Sequence, residues 1–319
     1  MCGCFAAVAG SGCKSSSGSS HAGSGSAASS SSSSSSRGKL RVVTTTGMIA
    51  DMARRLAGDA AAVESLMATG VDPHLYKASE GDVRKLVGAD LVLYNGLHLE
   101  GKMSDVLHKM KRGRPVIAVA DAIPKRELRE APGFGGTYDP HIWFDVSLWA
   151  KTLPAIASAL SKLRPARAAE ITARRKTLEG ELVTLDAWVK KRIAAIPAAQ
   201  RVLVTAHDAF GYFGRRYGLE VVGLQGISTV AQAGLRDVDR VAMRIVKDKI
   251  KAIFVESSVP KRTIRAVQAA CKARGHDVRV GGELYSDSMG APGTRDGTYP
   301  GMVRHNVETI VKALAGGEG

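Results

Sequence analysis

Three of the eight histidines stand where a ligand atom could be held still: His74 in GVDPHLYKAS, His141 in TYDPHIWFD and His207 in VLVTAHDAFGYF. The first two close the same tripeptide, Asp72-Pro73-His74 and Asp139-Pro140-His141. Proline fixes its own φ and keeps the residue before it extended, so each imidazole follows a stiff turn. His207 follows the apolar run 202–205. That places it at the carboxyl end of a predicted parallel strand, where open α/β sheets gather their ligands. The chemistry these residues suit is coordination of a first-row divalent cation by neutral imidazole. A carboxylate would close the set, and GGELYSDSMGAPGT offers two, Glu283 and Asp287. The separations between the three histidines are 67 and 66 residues, so no compact metal motif is present and the fold must bring them together.

The elements that could do so alternate between strand and helix. Short runs rich in Val, Ile and Leu at 40–45, 62–67, 90–94 and 116–120 read as strands buried on both faces. A second set lies at 201–205, 219–224, 252–256 and 277–280. Helical spacing fills 48–56, 80–87, 103–111, 235–249, 261–273 and 301–314. This alternation predicts parallel sheets with right-handed crossovers. Between the two sets, 146–160 is helical in pattern with Pro154 as a kink, and Arg164-Pro165 interrupts it. Residues 166–195 then run without Pro and with one Gly, a helix of roughly 45 Å at ~1.5 Å per residue. The expected fold class is α/β, two lobes each with a mainly parallel four-stranded sheet flanked by helices, joined by a long backbone helix. The expected divisions are 1–38, 39–146, 147–198 and 199–319. A stiff helical connector argues against a wide hinge motion.

Residues 1–38 are a different material. The stretch 15–36 is almost all Ser, Gly and Ala and cannot bury enough surface to order itself, so it reads as a flexible tether. Before it, FAAVAGSGC resembles the end of a bacterial lipoprotein signal, with Cys13 as the acylated residue. Gly10 stands where Leu is usual, and no basic segment precedes the short apolar run. The other cysteines, at 2, 4 and 271, fit neither a disulfide framework nor a zinc finger. The net charge is +15, scattered and not interleaved with aromatics, so no nucleic-acid partner is expected. Such a surface is either ordinary solvated charge or an attraction to anionic lipid.

From about residue 39 to the end the chain resembles the cluster A-I solute-binding proteins of metal-ion ABC transporters, the TroA-like branch of the ZnuA and PsaA superfamily. GVDPHLYKAS, ADLVLYNGLHLEGKM, DPHIWFDV, VTAHDAFGYF, LQGIS, VESSVP and GGELYSDSMG carry the resemblance. It implies metal held in the cleft between lobes, by His74 and His141 from the first and His207 and Asp287 from the second. It is the resemblance that selects Asp287 over Glu283. It further implies an extracytoplasmic monomer that hands Zn²⁺ or Mn²⁺ to a permease served by a separate ATPase, and no enzymatic activity. Asp72, Asp139, Asp208 and Glu256 are candidates to orient the imidazoles, since metal-bound histidines usually rest on such groups. His98 reads as cleft-lining, and His108, His276 and His305 as surface or core residues.

The metal preference is divided. Zinc-specific members often carry a His-rich loop before the second ligand, and the segment between Pro124 and Thr137 holds no histidine. Many manganese-type members place Glu where this chain has His207, and a third imidazole favours Zn²⁺. A site that accepts both ions is the expectation. The competing readings are a zinc-dependent hydrolase and a metal-binding surface adhesin. Four candidate protein donors speak against an open catalytic zinc, and no His-Glu-x-x-His, nucleophile elbow or phosphate loop is present.

Overall fold

Seven residues after the Ser-rich stretch has ended, the chain is already deep in a sheet. The computed structural model describes residues 38–111, 113–131 and 136–316. Cys13 and the tether lie outside them. The first sheet is made of β1 (Leu40–Thr44), β2 (Ala61–Ser65), β3 (Leu91–Tyr94) and β4 (Val116–Ala118), ordered β2-β1-β3-β4 and parallel throughout. Helices α1 (Gly47–Ala57), α2 (Glu80–Gly88) and α3 (Ser104–Met110) make the crossovers. Helix α2 starts where it does because Ser79 and Asp82 form a reciprocal capping box.

The connecting region breaks where its residues dictate. Helix α4 (Val146–Ala150) is capped by the Asp145 carboxylate, and α5 (Leu153–Leu163) begins afresh with Pro154 in its first turn. Pro154 therefore starts a helix instead of kinking one, because a first-turn proline loses no hydrogen bond. Helix α6 (Ala168–Ala194) is the 27-residue connector. Its buried stripe of Ile171, Leu178, Leu182, Leu185, Val189 and Ile193 follows helical spacing and packs on α1, α4, α5 and α10 (Tyr299–Leu314).

The second lobe holds β5 (Val202–His207), β6 (Glu220–Gln225), β7 (Ala252–Glu256) and β8 (Arg279–Leu284), with α7 (Gly211–Tyr217), α8 (Leu235–Lys247) and α9 (Arg262–Lys272) between them. Its strands form two parallel ladders, β5–β6 and β7–β8, and β5 lies beside β7. At that seam the His207 N–H donates to the Glu256 carboxylate at 2.9 Å, so a side chain stands in for a ladder bond. Strand β8 runs past the expected stop at Val280. The strand continues through Gly281 and Gly282, where an added Cβ would strike Ala313 at 2.7 Å and the Thr309 methyl at 2.5 Å, so glycine lets it lie close to α10. Helix α7 carries no strong periodicity in the sequence and was not expected.

One continuous apolar core runs from Leu40 and Val42 through Trp143, Trp149 and Leu182 to Tyr299 and Leu314. Smaller clusters lie under α8–α9 and under α2–α3. Among the described residues no helix is long and apolar enough to cross a membrane.

Candidate metal centre

The two Asp-Pro-His tripeptides fold alike at the backbone. The Asp72 carboxylate accepts the His74 N–H at 2.9 Å, and that of Asp139 accepts the His141 N–H at 3.0 Å. An Asx turn of this kind needs only Asp and the proline-fixed link, so it is encoded locally. His207 is the last residue of β5, and Glu256 the last of β7. Asp287 sits in the loop after β8, where the Trp143 indole N–H donates to the neighbouring Ser286 carbonyl at 2.9 Å.

These segments bring His74, His141, His207 and Asp287 together, all buried, with one potential ligand atom from each lying within 4.8 Å of the others. His74 Nε2 and His141 Nε2 are 3.3 Å apart. His141 Nε2 lies 3.3 Å from Asp287 Oδ1, and His207 Nε2 3.3 Å from Asp287 Oδ2. Tetrahedral donors at the ~2.0–2.1 Å of Zn–N and Zn–O bonds stand about 3.3 Å from one another. Within the protein, His207 Nε2 and Asp287 Oδ1 are buried without a hydrogen-bond partner. Buried polar atoms are rarely left so; among the described residues four others, on Asn95, Trp149, Arg167 and Gln225, share this state, but only these two belong to the four-donor cluster.

Two rings have carboxylates behind them. His141 Nδ1 is 2.8 Å from Asp139, and His207 Nδ1 is 2.5 Å from Glu256. These contacts leave each Nε2 for the centre of the cluster. The charge balance follows. Burial opposes the imidazolium of His141, but the Asp139 carboxylate bonded to its Nδ1 and the nearby charge of Asp287 outweigh it and raise its pKa to about 9. His207 is raised well above the ordinary value by Glu256 and Asp287 against the same burial penalty. Asp287 is lowered despite burial, chiefly by His207 and His141. His74 has no carboxylate on its ring, and burial pushes it down to about 3.

Of the four candidate orienting carboxylates, Asp139 and Glu256 bond the rings, whereas Asp72 reaches the backbone N–H of His74 but not its ring. Asp208 forms no hydrogen bond to any of these imidazoles; burial raises its pKa, with Asp139 adding to the effect. Glu283 lies within β8 and pairs with Lys261, away from the cluster. His98 is exposed and lines, with His74, Tyr138 and Ser228, a cavity of about 260 Å³. His108 is exposed, while His276 approaches the Ile250 carbonyl at 2.7 Å and His305 that of Glu283 at 3.0 Å.

Sequence reasoning missed the groups that tie this centre together. Asn95 donates to the Pro140 carbonyl at 3.0 Å, directly before His141. Buried Glu100 accepts from Thr45 Oγ1, Asn95 N and Gly96 N and so fixes the loop that carries Asn95. Tyr212 donates to the Asp139 carbonyl at 3.0 Å from the other lobe. Thr229 donates to Asp72 at 2.5 Å, also across the lobes. The one available signal was NGLHLE, in which a polar pair brackets two residues of positive φ, Leu97 and His98.

Two parallel α/β lobes on a common backbone helix, with imidazoles and a carboxylate converging where they meet, define a metal-binding solute-binding protein. The chain belongs to the ZnuA family, described as zinc-uptake complex component A periplasmic, whose model matches residues 42–313. It is 52% identical over 276 residues to the manganese-binding lipoprotein MntA of Bacillus subtilis, covering 86% of this chain and 90% of that protein. It is 50% identical over 281 residues to the zinc-binding protein TroA of Treponema pallidum, covering 87% and 90%. The solved structure of the periplasmic zinc binding protein TroA from Treponema pallidum superposes with a TM-score of 0.84 at 49% identity, covering 87% of this chain and 99% of that one.

Proposed function

We propose that this protein captures a first-row divalent cation, Zn²⁺ or Mn²⁺, on His74, His141, His207 and Asp287 and delivers it to an ABC permease driven by a separate ATPase. The observation that carries the reading is the pair of buried, unpartnered atoms His207 Nε2 and Asp287 Oδ1 within a cluster of four donors. Three imidazoles and one carboxylate suit these ions better than the oxygen-rich shells of Ca²⁺ or Mg²⁺. The names of the two similar relatives, one manganese-binding and one zinc-binding, support the pair of ions. Bidentate use of Asp287 suits Mn²⁺, and monodentate use suits tetrahedral Zn²⁺.

The cation is cargo. Four protein donors around a tetrahedral ion leave no position for a reacting water, which disfavours a hydrolase. The site is complete within one chain, which supports a monomer. The lipoprotein name of the MntA relative supports an extracytoplasmic protein anchored through Cys13, with 1–38 as leader and tether. Residues 39–146 and 199–319 would then be the two lobes and 147–198 the connector.

Elemental analysis of the full chain, purified without chelator beside His207→Ala, tests the reading. One equivalent of Zn or Mn in the wild type, lost in the variant, supports it. An equal metal content in both, or none in either with no thermal stabilisation on adding back each ion, overturns it.

A further inference from the structure

The charge of this protein is unevenly placed. Residues 39–146 carry fifteen Lys and Arg against fourteen Asp and Glu, whereas 236–279 carry twelve against five. One of those five, Glu256, is buried behind His207 and contributes nothing to the surface. Residues 236–279 contain α8 and α9, which pack side by side over the second apolar cluster and turn their other faces outward. Ion pairs neutralise part of the excess, among them Arg244 with Asp248 and Glu220, and Arg274 with Asp239. Arg236, Lys247, Lys249, Arg265 and Lys272 are exposed and pair with no carboxylate among the described residues.

The same face carries apolar side chains out of the core. Leu235 is 90% exposed and Met243 is 53% exposed, two turns apart on α8, with Val230 53% exposed just before the helix. Apolar tips set among unpaired cations match the boundary of an anionic bilayer, where phosphates meet the first methylenes. An acidic protein surface would satisfy the cations but would offer nothing for Leu235 and Met243. The connector 147–198 is also basic, with ten Lys and Arg against four Asp and Glu, so what sets α8 and α9 apart is unpaired cations beside exposed apolar side chains.

We propose that the outward face of α8 and α9 rests on the anionic phospholipid headgroups of the membrane, with Leu235 and Met243 dipping beneath them. The contact is distinct from the metal centre and does not rest on the identity of the cargo. It lays the second lobe against the lipid.

Co-sedimentation of the full chain, unacylated, with phosphatidylglycerol–phosphatidylcholine vesicles and with phosphatidylcholine vesicles tests this. The basic face contributes about fivefold in partitioning per cation near the surface. The quadruple variant Arg236→Glu, Lys247→Glu, Arg265→Glu, Lys272→Glu is expected to abolish binding to the mixed vesicles. A control with the same change in net charge in the first lobe, Lys102→Glu, Lys109→Glu, Lys125→Glu, Arg126→Glu, is expected to stay within a few-fold of wild type. Leu235→Ser with Met243→Ser should weaken binding several-fold at high salt, where charge is screened. Unchanged metal affinity in each variant shows that it is folded. Equal losses in the two quadruple variants reduce the effect to net charge and overturn the proposal. So does absence of binding to the mixed vesicles, including the case in which binding appears only when the permease is embedded in phosphatidylcholine.

Discussion

The turns that carry His74 and His141 share a tripeptide and a backbone hydrogen bond, yet they end in opposite electrostatic states. Asp139 spends one oxygen on both the N–H and the Nδ1 of His141 and pairs the other with Arg129 at 2.5 Å. Asp72 reaches only the N–H of His74 and turns its other oxygen to Thr229 of the opposite lobe. One ring is pushed up to about 9 and the other down to about 3. A local sequence thus sets where an imidazole starts, and tertiary neighbours set what it can do. Burial favours the neutral ring of His74, which lines a cavity, whereas the carboxylates behind His141 and His207 favour their protonated forms, so metal binding at those two rings is expected to release protons.

The sharpest test removes the rings. His141→Ala and His74→Ala are each expected to weaken Zn²⁺ binding by more than about a hundredfold, since loss of an outer partner alone costs 10–100-fold. Isothermal titration measures it, and an unaffected His74→Ala would take that residue out of the site. Removing metal from the wild type should lower its melting point. At a free concentration of 1,000 Kd a bound ion stabilises by about 4 kcal/mol, so scanning calorimetry with and without chelator reads the effect directly.

Next come the carboxylates. Asp139→Asn and Glu256→Gln should weaken metal binding by about 10–100-fold, because each backs a ring. Asp72→Asn, which backs none, should change it only a few-fold. Equal losses at Asp72 and Asp139 would erase the distinction between the two turns. Smaller again is Thr229→Val, which removes a bond across the cleft worth about 1 kcal/mol and should show mainly as faster metal release in stopped flow.

The smallest expected effect uses a carboxylate held by cations instead of imidazoles. Asp186 accepts from Arg216 and Tyr217, with Lys190 also in contact, and these partners hold its pKa below the usual value against burial. A lowered folded pKa contributes stability above the unfolded value of 3.8 that is lost as pH falls through the folded one. Asp186→Asn should therefore cost about 1 kcal/mol at neutral pH, lose that difference on acidification, and leave metal affinity unchanged. A changed metal affinity would show that the connector is coupled to the site.

Much of this was legible because it is periodic. The long connector reads as 166–195 and is found as Ala168–Ala194, since thirty residues of helical spacing leave few alternatives. The first-lobe strands are found where their Val and Leu runs lie. Strand β8 was misplaced because Gly281-Gly282 reads as a break, while their value lies in the room they leave for Ala313 and Thr309. The three histidines were legible from their turns and strand end. Asp287 and Glu283 were indistinguishable by residue type, and only resemblance separated them. Asn95, Tyr212 and Thr229 carry no local signal, because each acts on a partner far along the chain.

The shared core has a consequence for unloading. Trp143, Trp149 and Tyr299 are buried in one apolar body that includes strands of both lobes and α6. Swinging the lobes apart would wet that body, at ~25 cal/mol for each Å² exposed. The shared core therefore sets an energetic cost against wide opening of the lobes. Displacing the loops that carry His74 and Asp287 would expose less of that body than parting the lobes, so a release that moves those loops is expected to cost less.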